Sequence, residues 1–111
     1  MLTVIKYHLH TPVPHPKHIQ AELNTIGDPL VIDAGTEHLK NNHGEDPYMV
    51  VMGNTDIPGR AITYVVYQYG TEIPNDAISK TCMIGTYTLK TLKYAVFVQP
   101  EFSYWYRINR A

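Results

Sequence analysis

The chain has one cysteine, Cys82, in 111 residues, so no internal disulfide can form and the fold must be held by packing. A reducing compartment is the expectation that follows. Charge is scarce as well: 17% of the residues are Asp, Glu, Lys or Arg, against about 25% in an ordinary domain. Nine basic and ten acidic side chains leave a net charge of −1. That balance supplies no positive field for phosphate backbones or anionic lipid, which argues against nucleic-acid and membrane partners, and it opposes self-association only weakly. No apolar run approaches the roughly 18 residues of a membrane span. Met1 to His8 also lacks the basic and apolar blocks of a secretory leader, so the sequence reads as cytoplasmic and unanchored. The glycines form no phosphate-binding fingerprint, and neither Ser79 nor Ser103 lies in a nucleophile elbow.

What the chain does have is tyrosine, nine residues of it, together with the single Trp105. Rings with a polar tip tolerate both water and a partner surface, which suits a weakly charged exterior. The length fits one domain with one hydrophobic core, spanning residues 1–111.

Alternation marks the strands. Thr3, Ile5, Tyr7 and Leu9 share one face of an opening strand, with Leu2, Val4, Lys6, His8 and His10 on the other. The prolines at 12, 14 and 16 end it. Pro16 as a first helical residue, Ile19, Leu23 and Ile26 at helical spacing, and Gly27 as a cap predict one short helix. Leu30 to Ile32 reads as a brief strand, and the polar stretch from Asp33 to Pro47 as a long loop. Tyr48 to Met52 and Ala61 to Tyr69, separated by a dense turn signal, read as a hairpin. Thr81 to Leu89, Leu92 to Gln99 and Phe102 to Asn109 read as a three-strand meander. The strand from Ala61 is apolar on both faces, which requires cover on both sides. The fold class expected is mainly β, an antiparallel β-sandwich or jelly-roll-like domain with one short helix, its β character concentrated after Tyr48.

Chemistry-bearing residues are few. His8, His10, His15 and His18 fall close together, and His8 and His10 share a strand face as a metal-binding His-x-His pair would. The cupin pattern also needs a glutamate shortly after such a pair, and Thr11 to Ile19 contains none. Asp33 and Glu37, and separately Glu45 and Asp46, sit among Asn, Gly and Pro as solvated loop acids do. His43-Gly44-Glu45-Asp46 lacks the regular spacing of a calcium loop. Cys82, inside a predicted strand, reads as a small packed residue. No catalytic residue, metal or cofactor is expected. The candidate interface is Tyr104, Trp105, Tyr106 and Arg107: on a final strand, Phe102, Tyr104 and Tyr106 would take one face and Trp105 and Arg107 the other, leaving one aromatic face for a partner.

In length, low charge, tyrosine content and the alternating segments Ala61 to Tyr69 and Phe102 to Asn109, the chain resembles the small decoration or staple proteins of tailed bacteriophages. A jelly-roll-like example occurs in a short-tailed Salmonella phage. The resemblance implies a non-enzymatic virion protein, made in the host cytoplasm, that binds the capsid exterior as a homodimer and clamps neighbouring copies of the major capsid protein. A carbohydrate-binding jelly-roll module stacking Trp105 on a sugar ring, and a cupin-like metal-binding domain using His8 and His10, stand as the alternatives.

Overall fold

A computed structural model describes residues 1–38 and 45–109. Two antiparallel sheets pack face to face. The first has three strands, β1 (Leu2–His8), β4 (Glu45–Asn54) and β3 (Gly27–His38), in the order β1-β4-β3. The second has four, β2 (His18–Thr25), β5 (Arg60–Gln68), β7 (Leu92–Val98) and β6 (Cys82–Leu89), in the order β2-β5-β7-β6. Among the described residues helical structure is limited to α1 (Ala77–Lys80), a 3₁₀ turn (Pro100–Phe102) and α2 (Tyr104–Asn109). The β-sandwich expected from alternation is the fold observed.

The core lies between the sheets. Val31, Met49 and Val51 come from the first sheet and meet Ile62, Tyr64, Val66, Tyr94, Val96 and Val98 from the second. Leu9 and Phe102, just outside the strands, are also buried in it. Every second residue of β4 and β5 is therefore interior, as a period of two demands. The opening strand follows its predicted alternation, with Thr3, Ile5 and Tyr7 half-buried and Leu2, Val4, Lys6 and His8 exposed.

Five expectations are corrected. β structure is not concentrated after Tyr48, because β1, β2 and β3 all precede it. The segment from Pro16 to Gly27 holds strand β2, not a helix. Ile19 and Leu23 satisfy both periods, but Ala21 between them also turns inward, while Gln20, Glu22 and Asn24 face out. Pairing of the whole segment with β5, from His18↔Tyr67 to Thr25↔Arg60, decides the outcome, because tertiary context overrides a short helical pattern. The stretch from Asp33 to Pro47 is not one long loop: β3 continues to His38 and β4 begins at Glu45. Its polar side chains bond within the sheets, as Asp33 Oδ1 does in accepting the Ala34 N–H (2.8 Å) beside a bulge. The residues between, including His43 and Gly44, lie outside those described.

β4 and β5 do not form a hairpin either. β4 sits between β1 and β3, β5 between β2 and β7, so the turn after Asn54 carries the chain from one sheet to the other. A strand apolar on both faces belongs in the middle of a sheet, and β5 takes that place. Lastly, Phe102 to Asn109 is not a strand. It closes a 3₁₀ turn and enters α2, and only Ser103 keeps a β contact, a bridge to Val31. β6 and β7 do pair as predicted, through the tight turn between Leu89 and Leu92 in which Lys90 takes a positive φ of 56°.

The two sheets approach most closely where β6 meets β3. A Cβ on Gly85 would stand 2.9 Å from the backbone nitrogen of Ala34, so glycine is required there. Beside that contact the Thr88 N–H donates to Thr36 Oγ1 and the Lys90 N–H to Glu45 Oε2, both at 2.6 Å. Side chains thus replace the missing neighbour strand of β6.

Candidate functional site

The four-stranded sheet turns an aromatic surface away from the core. His18 on β2 stacks on Tyr67 of β5 with centroids 4.8 Å apart, and Tyr67 meets the edge of Phe97 on β7 at 5.8 Å. The register explains the row, since His18 lies opposite Tyr67 and Phe97 lies beside both Val65 and Met83. The segment that follows β5 folds over part of this face, with α1 reaching the vicinity of Val65 and Tyr67. What stays open is a groove of about 310 Å³ walled by Tyr67, Tyr69, Ile73, Met83, Ala95 and Phe97. Tyr69 is 52% exposed and Met83 53%. The Lys93 ammonium stands 5.4 Å from the Tyr69 ring centre and leaves the apolar floor intact.

Met83 also borders a second hollow, of about 450 Å³, whose other walls include Cys82, Trp105 and Tyr106. The two hollows share Met83, which stands between the outer sheet face and α2. Trp105 is 52% exposed while its Nε1–H donates to the Ile32 carbonyl of β3 at 2.8 Å. Its indole is thereby fixed at one end and presented at the other. Tyr104 packs edge-on against it at 5.1 Å. A rigid, half-exposed Trp beside flexible Met is the make-up of a protein-binding hot spot.

All four residues of the predicted interface thus sit on α2. Tyr104 is half-buried, and Trp105, Tyr106 and Arg107 are exposed. The two-face division expected of a strand does not hold, because a helix turns successive side chains about 100° apart. Arg107 faces another side, toward a hollow of about 550 Å³ shared with Asp28, Glu101 and Arg60, whose guanidinium lies 4.6 Å over the Phe102 ring. Sequence reasoning missed Tyr67, Tyr69, Met83 and Phe97 as a surface. The signal was the two apolar faces of the strand from Ala61.

The histidines separate into different roles. His8 Nδ1 lies 2.6 Å from Asp46 Oδ2, His15 Nδ1 lies 3.1 Å from the Pro12 carbonyl, and His18 stacks on Tyr67. Among the described residues no three His, Cys, Asp or Glu side chains gather as a metal site would require. Glu37 pairs with Lys6 at 3.2 Å within the three-stranded sheet, and Glu45 accepts the Lys90 N–H across to the other sheet, so the acids serve the sandwich structurally. Burial pushes the Cys82 thiol up, away from the thiolate a nucleophile needs. Three of the tyrosines are structural: Tyr64, Tyr87 and Tyr94 are buried, and Tyr87 stacks on Tyr94 at 5.1 Å. Desolvation raises the pKa of both Tyr64 and Tyr87. No family model, curated protein or solved structure matches this chain.

Proposed function

We propose that this domain is a non-enzymatic assembly protein that decorates the outside of a phage capsid and clamps neighbouring copies of the major capsid protein. The observation that carries the reading is the exposed apolar surface from Tyr69 through Met83 to Trp105. Burying such a surface yields roughly 25 cal/mol per Å² of apolar area. On a capsid lattice several such contacts act together, since each bound site holds the next at high effective concentration. The low net charge suits this role, because it raises little barrier against a crowded surface.

Co-sedimentation with undecorated phage capsids tests the reading. The wild-type protein is expected to pellet with them, and Met83→Asp and Trp105→Ala, which alter exposed side chains, to lose most of that binding. No capsid binding, or binding indifferent to both substitutions, contradicts it. The half-exposed Trp105 ring beside an open hollow also suits sugar stacking. A glycan array separates that role: glycan binding abolished by Trp105→Ala, without capsid binding, would replace the assembly reading.

A further inference from the structure

Two open sheets have four edges, and three of them are protected. β3 is covered by the Val31 to Ser103 bridge and by the Trp105 bond to the Ile32 carbonyl. β6 is capped by Thr36 and Glu45. β2 carries the exposed polar residues Gln20, Glu22 and Asn24 on its outer face, a polar row beside its free edge that discourages added strands.

β1 is guarded less: among its outward residues Lys6 and His8 are polar and engaged with Glu37 and Asp46, whereas Leu2 and Val4 are apolar. The Leu9 N–H donates to the Pro47 carbonyl and the Thr55 N–H to the Met1 carbonyl, both at 2.9 Å. With Tyr7 opposite Met49 and Thr3 opposite Gly53, the odd-numbered residues make the bonded pairs with β4. The N–H and C=O groups of Leu2, Val4, Lys6 and His8 therefore point away from it. Side chains on those same residues include Leu2, 67% exposed, and Val4, 56% exposed. An apolar edge with a row of free backbone groups is a template for another strand.

We infer that β1 pairs with β1 of a second copy, antiparallel about a two-fold axis at Val4, and joins two three-stranded sheets into one continuous sheet. Three features select a second copy over a foreign strand. The even-numbered residues that carry the free groups face one another in this register, Val4 opposite Val4 and Leu2 opposite Lys6, so every bonded pair is self-complementary. The apolar Leu2 side chain lies along the Lys6 stem, while the Lys6 ammonium stays with its own Glu37. No like charges oppose each other, and the net charge of −1 adds little repulsion. The contact is isologous and closes as a dimer. It deepens the assembly reading by stating how two clamps are joined, yet it is tested without any capsid, so either can fail alone.

Light scattering after size exclusion should report a dimer for the wild type and a monomer for Val4→Lys, which sets two ammonium groups against each other on the axis. Circular dichroism and thermal unfolding of that variant at low concentration serve as the folding control. In a Cys82→Ser background, Val4→Cys should give a disulfide-linked dimer under mild oxidation, because paired Cα atoms of such a bonded pair lie about 5.5 Å apart. Lys6→Cys, which faces Leu2 in this register, should cross-link far less. A wild-type monomer at all concentrations overturns the proposal. So does a dimer that survives Val4→Lys, or one in which Lys6→Cys cross-links and Val4→Cys does not. If Val4→Lys fails to fold, the cysteine pair decides alone.

Discussion

The two sides of this sandwich are finished differently. Where β3 meets β6, the sheets touch backbone to backbone at Gly85, side chains bond the free β6 amides, and α2 is tied to β3 through Trp105. Where β1 and β2 form the opposite margin, the direct link found is the Ile26 N–H donating to Tyr7 Oη at 3.0 Å, and the outer backbone groups of both strands have no partner among the described residues. An unpaired edge is hazardous unless polar side chains guard it or a partner fills it. β2 follows the first course, and the proposed pairing of β1 would be the second. On that proposal, edge treatment separates surfaces meant for water from those meant for protein, in a chain with too few charges to do so by electrostatics.

Opening the sealed side should have the largest effect. Gly85→Val drives a branched side chain into the Ala34 backbone, and such overpacking should lower the unfolding free energy by about 3 kcal/mol in a denaturant titration. Trp105→Ala should cost about 2 kcal/mol, since it removes both the bond to Ile32 and the packing of α2. Thr36→Val leaves the Thr88 N–H without its acceptor and should cost about 1 kcal/mol. On the open side, Leu2→Ser should leave monomer stability within about 0.5 kcal/mol of the wild type. If that substitution costs more than Thr36→Val at concentrations where the protein is monomeric, the contrast between the margins is wrong.

The core between the margins supplies a pH test. Tyr64, Tyr87 and Tyr94 have folded pKa values raised by desolvation above the ordinary value of 10.0. For groups shifted in this direction the neutral form is favoured by folding, so their contribution is fully present below pH 10 and is lost as pH rises through the folded values. Ultraviolet titration at the phenolate band should show these three ionising only with unfolding. Three tyrosines withheld until unfolding is the expected count of this class; free titration of all three in the folded protein would contradict the packing described.

Much of the fold was legible in the sequence because burial leaves a period of two wherever one strand face is wet. β1 and the β6–β7 pair could be read directly, and the double apolar face of β5 called for cover on both sides, which its place inside the second sheet bears on only after the topology is known. β2 could not be read, because Ile19 and Leu23 suit a helix as well as a strand and only pairing with β5 decides between them. Leu30 to Ile32 of β3 could be read as a strand, but its continuation from Asp33 was hidden because the polar residues there serve as internal partners, with Thr36 and Glu37 bonded across the sandwich and the sheet. The aromatic C-terminus was found by composition, yet its helical form depends on the 3₁₀ turn at Pro100 and on docking against β3, neither of which alternation reveals. The groove at Tyr69 and Met83 needed the register across three strands, a non-local fact.

Native-state amide hydrogen exchange followed against protein concentration tests the contrast most directly. Thr88 and Lys90 amides should be protected at every concentration, because their acceptors lie within the same chain. Val4 and Lys6 amides should exchange rapidly in dilute solution and become protected as concentration rises, because their acceptors belong to a second copy. Protection of Val4 and Lys6 that is independent of concentration, or rapid exchange at Thr88 and Lys90, would contradict the account.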